Sequence, residues 1–192
     1  MQMDMKQQLE HLKLTLGENP CDGLALLTLG DMLFHGKVDV QEHLTILEEL
    51  QELLFAAHQP NGDPTKINTT LSAVDCLKYA VIADVDDMNS WHTLGLYMQE
   101  TSNLEQNSTQ FDPRGDGSDV TAFTRLDCFV EALRCDGSDV GSWRELLNTM
   151  VQCNMESVEA AGKVRSQADI ANILESNSDE AVNRLFGFSD DE

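Results

Sequence analysis

The chain has 192 residues, 41% hydrophobic but only 6% aromatic, so its core rests on Leu, Val, Ile, Met and Ala. Thirty-four acidic residues face twelve Lys and Arg, giving a net charge of −22. With no basic cluster, that balance argues against nucleic acid, whose phosphates need a Lys/Arg footprint. Five cysteines with no Cys-x-x-Cys pair suit reduced thiols better than a disulfide framework or a metal knuckle.

Leu9, Leu12 and Leu16 fall at helical spacing, which predicts a first helix over about 4–16, stopped by Gly17 and the Asn19-Pro20 turn. Leu26, Leu29, Gly30 and Leu33 place a second over 22–35, before Gly36. A third is predicted from Asp39 to about Ala57, with Val40, Leu44, Leu47, Leu50 or Leu53, Leu54 and Ala57 on its apolar face and Glu48, Glu49 and Glu52 in solvent. Residues 59–64 read as a loop on turn chemistry alone.

Residues 69–98 and 121–150 then repeat one another at a spacing of 52 without a gap. The copies share Thr69/Thr121, Asp75/Asp127, Cys76/Cys128, Ala80/Ala132, Asp84/Asp136, Asp87/Asp139, Ser90/Ser142, Trp91/Trp143, Leu94/Leu146 and Met98/Met150. Each copy reads as two helices broken at Asp84–Asp87 or its counterpart. Repetition at fixed spacing marks architectures that stack one supersecondary unit. The two tryptophans are expected to be buried in equivalent places, each against the alanine of the preceding helix, Ala80 or Ala132. Residues 101–119 are polar and without apolar periodicity, and read as a mobile insertion. After 153 the pattern predicts one or two helices, about 155–175 and 178–186, and an acidic tail from Phe188 that lacks order.

The spacing around the tryptophans resembles the tetratricopeptide repeat, whose pattern runs Trp-x2-Leu-Gly-x2-Tyr and then Ala-x3-Phe. Trp91, Leu94 and Gly95 match three of its first four positions, with Met98 in place of Tyr; Leu29 and Gly30 match two, with Leu26 and Leu33 in place of Trp and Tyr; and Trp143 and Leu146 match two, with Leu147 and Met150 in place of Gly and Tyr. Ala73 with Leu77 and Phe129 with Ala132 fit the second helix. The period of 52 departs from the family's 34, most of the surplus lying in 101–119, and the helix over 39–57 interrupts the earlier spacing. The resemblance implies an all-α chain of about eight or nine helices in antiparallel pairs, stacked as a short right-handed solenoid with no sheet. One such domain would span 1–176, with a short helix and acidic tail over 177–192.

It also implies a groove lined by Asn89, His92, Leu96, Gln99, Gly141, Arg144 and Asn148. Only Arg144 and Asn148 have the chemistry by which some family members clamp a chaperone's C-terminal carboxylate; one cation in so acidic a chain makes a poor carboxylate trap. Asn89, His92, Leu96, Arg144 and Asn148 remain the candidate partner-binding residues.

Signals for catalysis, cofactors or metals are weak. Asp112 to Asp119 has an EF-hand flavour, but Arg114 and Phe123 occupy ligand positions of that pattern. His11, His35, His43, His58 and His92 read as single surface histidines. No phosphate-binding, dinucleotide, zinc-protease or nucleophile-elbow motif occurs, so no catalytic, cofactor or metal residue is assigned. The expectation is a non-enzymatic protein–protein interaction scaffold or subunit of an intracellular assembly, cytoplasmic or nuclear. Its partner is a protein or peptide, and neither nucleic acid nor membrane. The alternative is an acidic chaperone or adapter for a basic client such as a histone-like or ribosomal protein.

Overall fold

A computed structural model describes residues 3–58, 71–98, 108–114 and 120–186, with the side chains of 177–186 left aside. The described residues form eight helices and two hairpins. In chain order they are α1 (Met5–Glu18), α2 (Gly23–Phe34), α3 (Leu44–His58), α4 (Ala73–Ala83), α5 (Met88–Tyr97), β1 (Thr109–Phe111), β2 (Thr121–Phe123), α6 (Arg125–Cys135), α7 (Val140–Gln152), β3 (Ser157–Ala160), β4 (Lys163–Ser166) and α8 (Gln167–Phe186).

The helices start where short polar side chains can take up free backbone donors. Asp4, Ser72 and Thr124 form reciprocal capping boxes with Gln7, Asp75 and Asp127. Asp22, Asp87 and Asp139 cap α2, α5 and α7.

One junction occurs three times. At 19–22, 84–87 and 136–139 a helix ends on Asn19, Asp84 or Asp136 in an extended conformation, with φ of −140°, −148° and −137°. The backbone N–H of that residue donates back to Thr15, Ala80 or Ala132. Three residues on, the N–H of the aspartate cap donates to its carbonyl at 3.0, 3.2 and 3.2 Å. The first copy, Asn19-Pro20-Cys21-Asp22, is thus the structural equal of the two that the sequence repeat displays.

Between the junctions the chain is free to vary. α2 packs on α4, α5 on α6 and α7 on α8. Their connections contain α3, the β1–β2 hairpin and the β3–β4 hairpin respectively. Two glycines govern the first two contacts. A Cβ on Gly95 would lie 2.8 Å from the Phe129 ring, and one on Gly30 would lie 3.4 Å from Leu77. Close approach of the helices therefore needs glycine at 95 but leaves room for a methyl group at 30.

The core runs as three clusters along the chain. The first joins Leu9, Leu12 and Leu16 to Leu26, Leu29, Leu47, Leu50 and Leu54. In the second, Trp91 and Leu94 meet Leu77 and Val81 together with Cys128 and Ala132. In the third, Trp143 and Leu146 meet Phe129, Leu133, Ala160 and Ile170. Trp91 and Trp143 are buried as expected, at 1% and 2% exposure. Their alanine partners are not those expected: Ala132 belongs to the cluster of Trp91, and Ala80 to the first cluster. The small residue serves the helix of the unit before it, which is where close packing between successive units needs the space.

The all-helical expectation holds for most of the chain but not at the two hairpins, which correct the expected absence of sheet. β1 pairs with β2 antiparallel, Gln110 opposite Ala122. Phe111, 5% exposed, packs with Trp91 and Phe123, so 108–114 is anchored structure within the stretch read as an insertion. The remainder of 101–119 lies outside the described residues. β3 and β4 replace the first part, up to 166, of the helix expected over 155–175; Ala161 and Gly162, with φ of +48° and +71°, form the tight turn that a hairpin's twist demands. A single α8 then runs from Gln167 to Phe186, where one or two helices were expected, and the tail from Phe188 lies outside the described residues.

Candidate functional site

Counting from the aspartate caps places equivalent side chains on α2, α5 and α7. The fourth and seventh residues, Leu26 and Leu29, Trp91 and Leu94, Trp143 and Leu146, are all buried. At 3.6 residues per turn, the second, fifth, ninth and twelfth residues lie on the far side of each helix, within an arc of about 80°. They are Leu24, Leu27, Asp31 and Phe34 on α2; Asn89, His92 and Leu96 on α5; and Gly141, Arg144, Asn148 and Val151 on α7. Four of the five candidate residues, Asn89, Leu96, Arg144 and Asn148, are exposed there.

Contacts on this side join the three helices. Tyr97 of α5 stacks on Phe34 of α2 with ring centroids 3.9 Å apart, and its hydroxyl donates to Asp31 at 2.9 Å. Lys37, bonded to Asp31 at 2.6 Å, holds that carboxyl below its usual range, helped by the Tyr97 hydrogen bond. Burial and the Asp31 carboxylate push the Tyr97 hydroxyl up to about 12. On the other flank, His92 Nδ1 meets Ser142 Oγ at 2.8 Å, and the His92 ring lies 3.3 Å from where a Cβ on Gly141 would sit.

His92 is therefore only half available. The sequence reading made it a surface residue, but it fastens α5 to the start of α7, with Asp139 3.7 Å away. Serine, histidine and aspartate meet here from positions 50 residues apart, yet the group cannot work as a triad. Both partners approach the same ring nitrogen, and Ser142 is completely buried. A triad needs the serine and the acid on opposite nitrogens and an accessible hydroxyl.

His43 and His58 also depart from the expected surface placement, being 8% and 5% exposed. His58 stacks on Tyr79 at 4.9 Å, and its Nε2 is 3.0 Å from the Pro20 carbonyl. Desolvation lowers its pKa, favouring the neutral ring and offsetting the opposite pull of that hydrogen bond. Cys76 and Cys128 are wholly buried, and burial pushes both thiols up, away from the thiolate that nucleophilic or metal chemistry requires.

A cavity of about 430 Å³ opens between α6, the 84–87 junction and the β1–β2 hairpin. Trp91 and Phe123 line it, with Asp86, Asp112, Arg114, Glu131 and Arg134. Arg134 is engaged by Glu131 at 2.6 Å and Asp86 at 3.3 Å, so these charges are spent largely on one another. Among the described residues no cluster of His, Cys, Asp and Glu is arranged to hold a metal ion. Nor is any helix long and apolar enough to cross a membrane.

Comparison with protein-family models, with curated proteins and with solved structures returned no match.

Proposed function

We propose that the chain is a non-enzymatic protein–protein interaction scaffold, a short right-handed stack of antiparallel helix pairs resembling a tetratricopeptide array. The observation that carries this reading is the side shared by α2, α5 and α7, joined by Tyr97 on Phe34 and His92 on Ser142. Four exposed candidates there, Asn89, Leu96, Arg144 and Asn148, have no core duty. Such a surface suits a cytoplasmic or nuclear assembly in which the partner is a protein or peptide. The test is affinity capture with the full chain against a variant carrying Asn89→Ala, Leu96→Ala, Arg144→Ala and Asn148→Ala. Loss of the same partner at unchanged melting temperature is expected; undiminished capture would move the interface elsewhere.

A second reading, an adapter for a basic client, rests on the net charge of −22. It requires the captured partner to be basic and its affinity to fall steeply with salt, since exposed charges are screened beyond a Debye length of about 8–10 Å.

A further inference from the structure

Exposed apolar side chains are not scattered evenly over this molecule. Among the described residues eight large hydrophobics are exposed, and four of them, Leu24 (77%), Phe34 (47%), Leu96 (37%) and Val151 (58%), fall on the shared side of α2, α5 and α7. Between them, Leu27 and Tyr97 are half-buried and pack against the second core cluster. The strip is richest on α2 and α5 and grades into Arg144 and Asn148 on α7. Apolar residues clustered on a side that the core does not use mark an interaction surface.

The edge of the strip is charged. Each of the three helices starts from a junction, and together these contain Asp22, Asp84, Asp86, Asp87, Asp136 and Asp139 and no lysine or arginine. The caps among them compensate their own helix ends, whereas Asp84, Asp86 and Asp136 are exposed. Among the described residues, only Asp86 of these three is ion-paired, to Arg134. A partner segment with cations beside its apolar residues would match both the strip and its edge.

The backbone of the partner is constrained too. Helix flanks offer no free ladder of N–H and C=O groups, and on the α2 part of the strip the one polar side chain, Asp31, is already bonded to Lys37 and Tyr97. An extended peptide would leave its own backbone groups without partners, whereas a helix satisfies them internally. Three helices side by side, spaced about 8–10 Å, present a face some 20 Å wide, the length of roughly four helical turns.

Resting on the interaction-scaffold reading, we infer that this strip receives a basic amphipathic helix, with its apolar face on Leu24, Phe34 and Leu96 and its cations toward the aspartate edge. The test titrates the full chain with two model peptides of about 18 residues, one amphipathic in leucine and lysine and one in leucine and glutamate. The leucine–lysine peptide should bind and become helical by circular dichroism, and the leucine–glutamate peptide should bind at least tenfold more weakly.

The decisive variants are Leu24→Asp and Leu96→Asp, with Val164→Asp, an exposed valine on β4, as the control. Added negative charge strengthens a purely electrostatic complex, whereas it weakens docking on the strip. At least tenfold weakening by Leu24→Asp and Leu96→Asp, with none from Val164→Asp, is the expected result. Tighter binding by the strip variants, equal weakening by the control, or equal binding of both peptides would overturn the inference. So would sedimentation showing a dimer of the free chain that Leu24→Asp dissociates, because the occupant would then be a second copy. The scaffold reading itself fails separately, if the full chain captures no macromolecular partner at all.

Discussion

The junction at 19–22 and the junctions at 84–87 and 136–139 have the same backbone and different side chains. In the later two, the indole N–H of Trp91 or Trp143 donates to the carbonyl of Val85 or Gly137 at 2.8 and 2.9 Å. In the first, Leu26 stands in the tryptophan's place and has no donor, so the equivalent carbonyl, that of Pro20, is met by His58 from the end of α3. The same carbonyl is hydrogen-bonded in all three junctions, and the partner need not come from the same place in the chain. The comparison also gives α3 a role: it interrupts the repeat in sequence and completes the junction in space.

The harshest way to break the comparison is Trp91→Ala or Trp143→Ala. Each removes a fully buried large side chain and should cost about 3–5 kcal/mol by denaturant unfolding. A change within error would mean that the surrounding helices close over the loss.

The two glycines should differ in sign. Gly95→Ala drives a methyl into the buried Phe129 ring, and an overpacked core costs about 1–3 kcal/mol. Gly30→Ala meets Leu77 at ordinary contact distance and gains helix propensity, so it should be neutral or stabilising by up to about 1 kcal/mol. Parallel losses in both would show that the spacing of α2 and α4 is as tight as that of α5 and α6.

Removing only the donor sharpens the contrast further. Trp143→Phe and His58→Leu leave the Gly137 and Pro20 carbonyls without these bonds, at about 0.5–1.5 kcal/mol each. Trp91→Phe should cost less, because Arg134 also reaches the Val85 carbonyl at 3.4 Å. Equal melting shifts for the two Phe variants would rule out that compensation. The caps are of similar size: Asp87→Ala and Asp139→Ala should each cost about 1 kcal/mol.

The smallest effect is a pH dependence confined to the first junction. Burial lowers the folded-state pKa of His58 from 6.5, so the unfolded chain binds the proton more readily. The contribution of His58 is therefore complete above about pH 6.5 and is lost as pH falls through the depressed folded-state value. Comparing His58→Gln, which keeps an N–H donor and does not titrate, with the parent between pH 7.5 and 5 isolates this slope. Identical pH profiles would show that His58 titrates alike in both states.

Much of this was legible in the chain. The repeat at spacing 52, the helical stripes and the burial of both tryptophans follow from local periodicity and from one pattern occurring twice. The hairpins were not. The turn between β3 and β4 is Ala161-Gly162 where Asn-Gly would have announced it, and Phe111 has a core role only because Trp91 and Phe123 come to it from elsewhere in the chain. Of the candidate groove, the register placed Asn89, Leu96, Arg144 and Asn148 on the exposed side, but not the engagement of His92 with Ser142 or the apolar run through Leu24, Phe34 and Val151. Local order is set by neighbours three and four residues apart, which a sequence displays. Whether an exposed leucine stands alone or in a strip, and which donor reaches a junction carbonyl, depends on groups dozens of residues away, and only the packed structure brings those together.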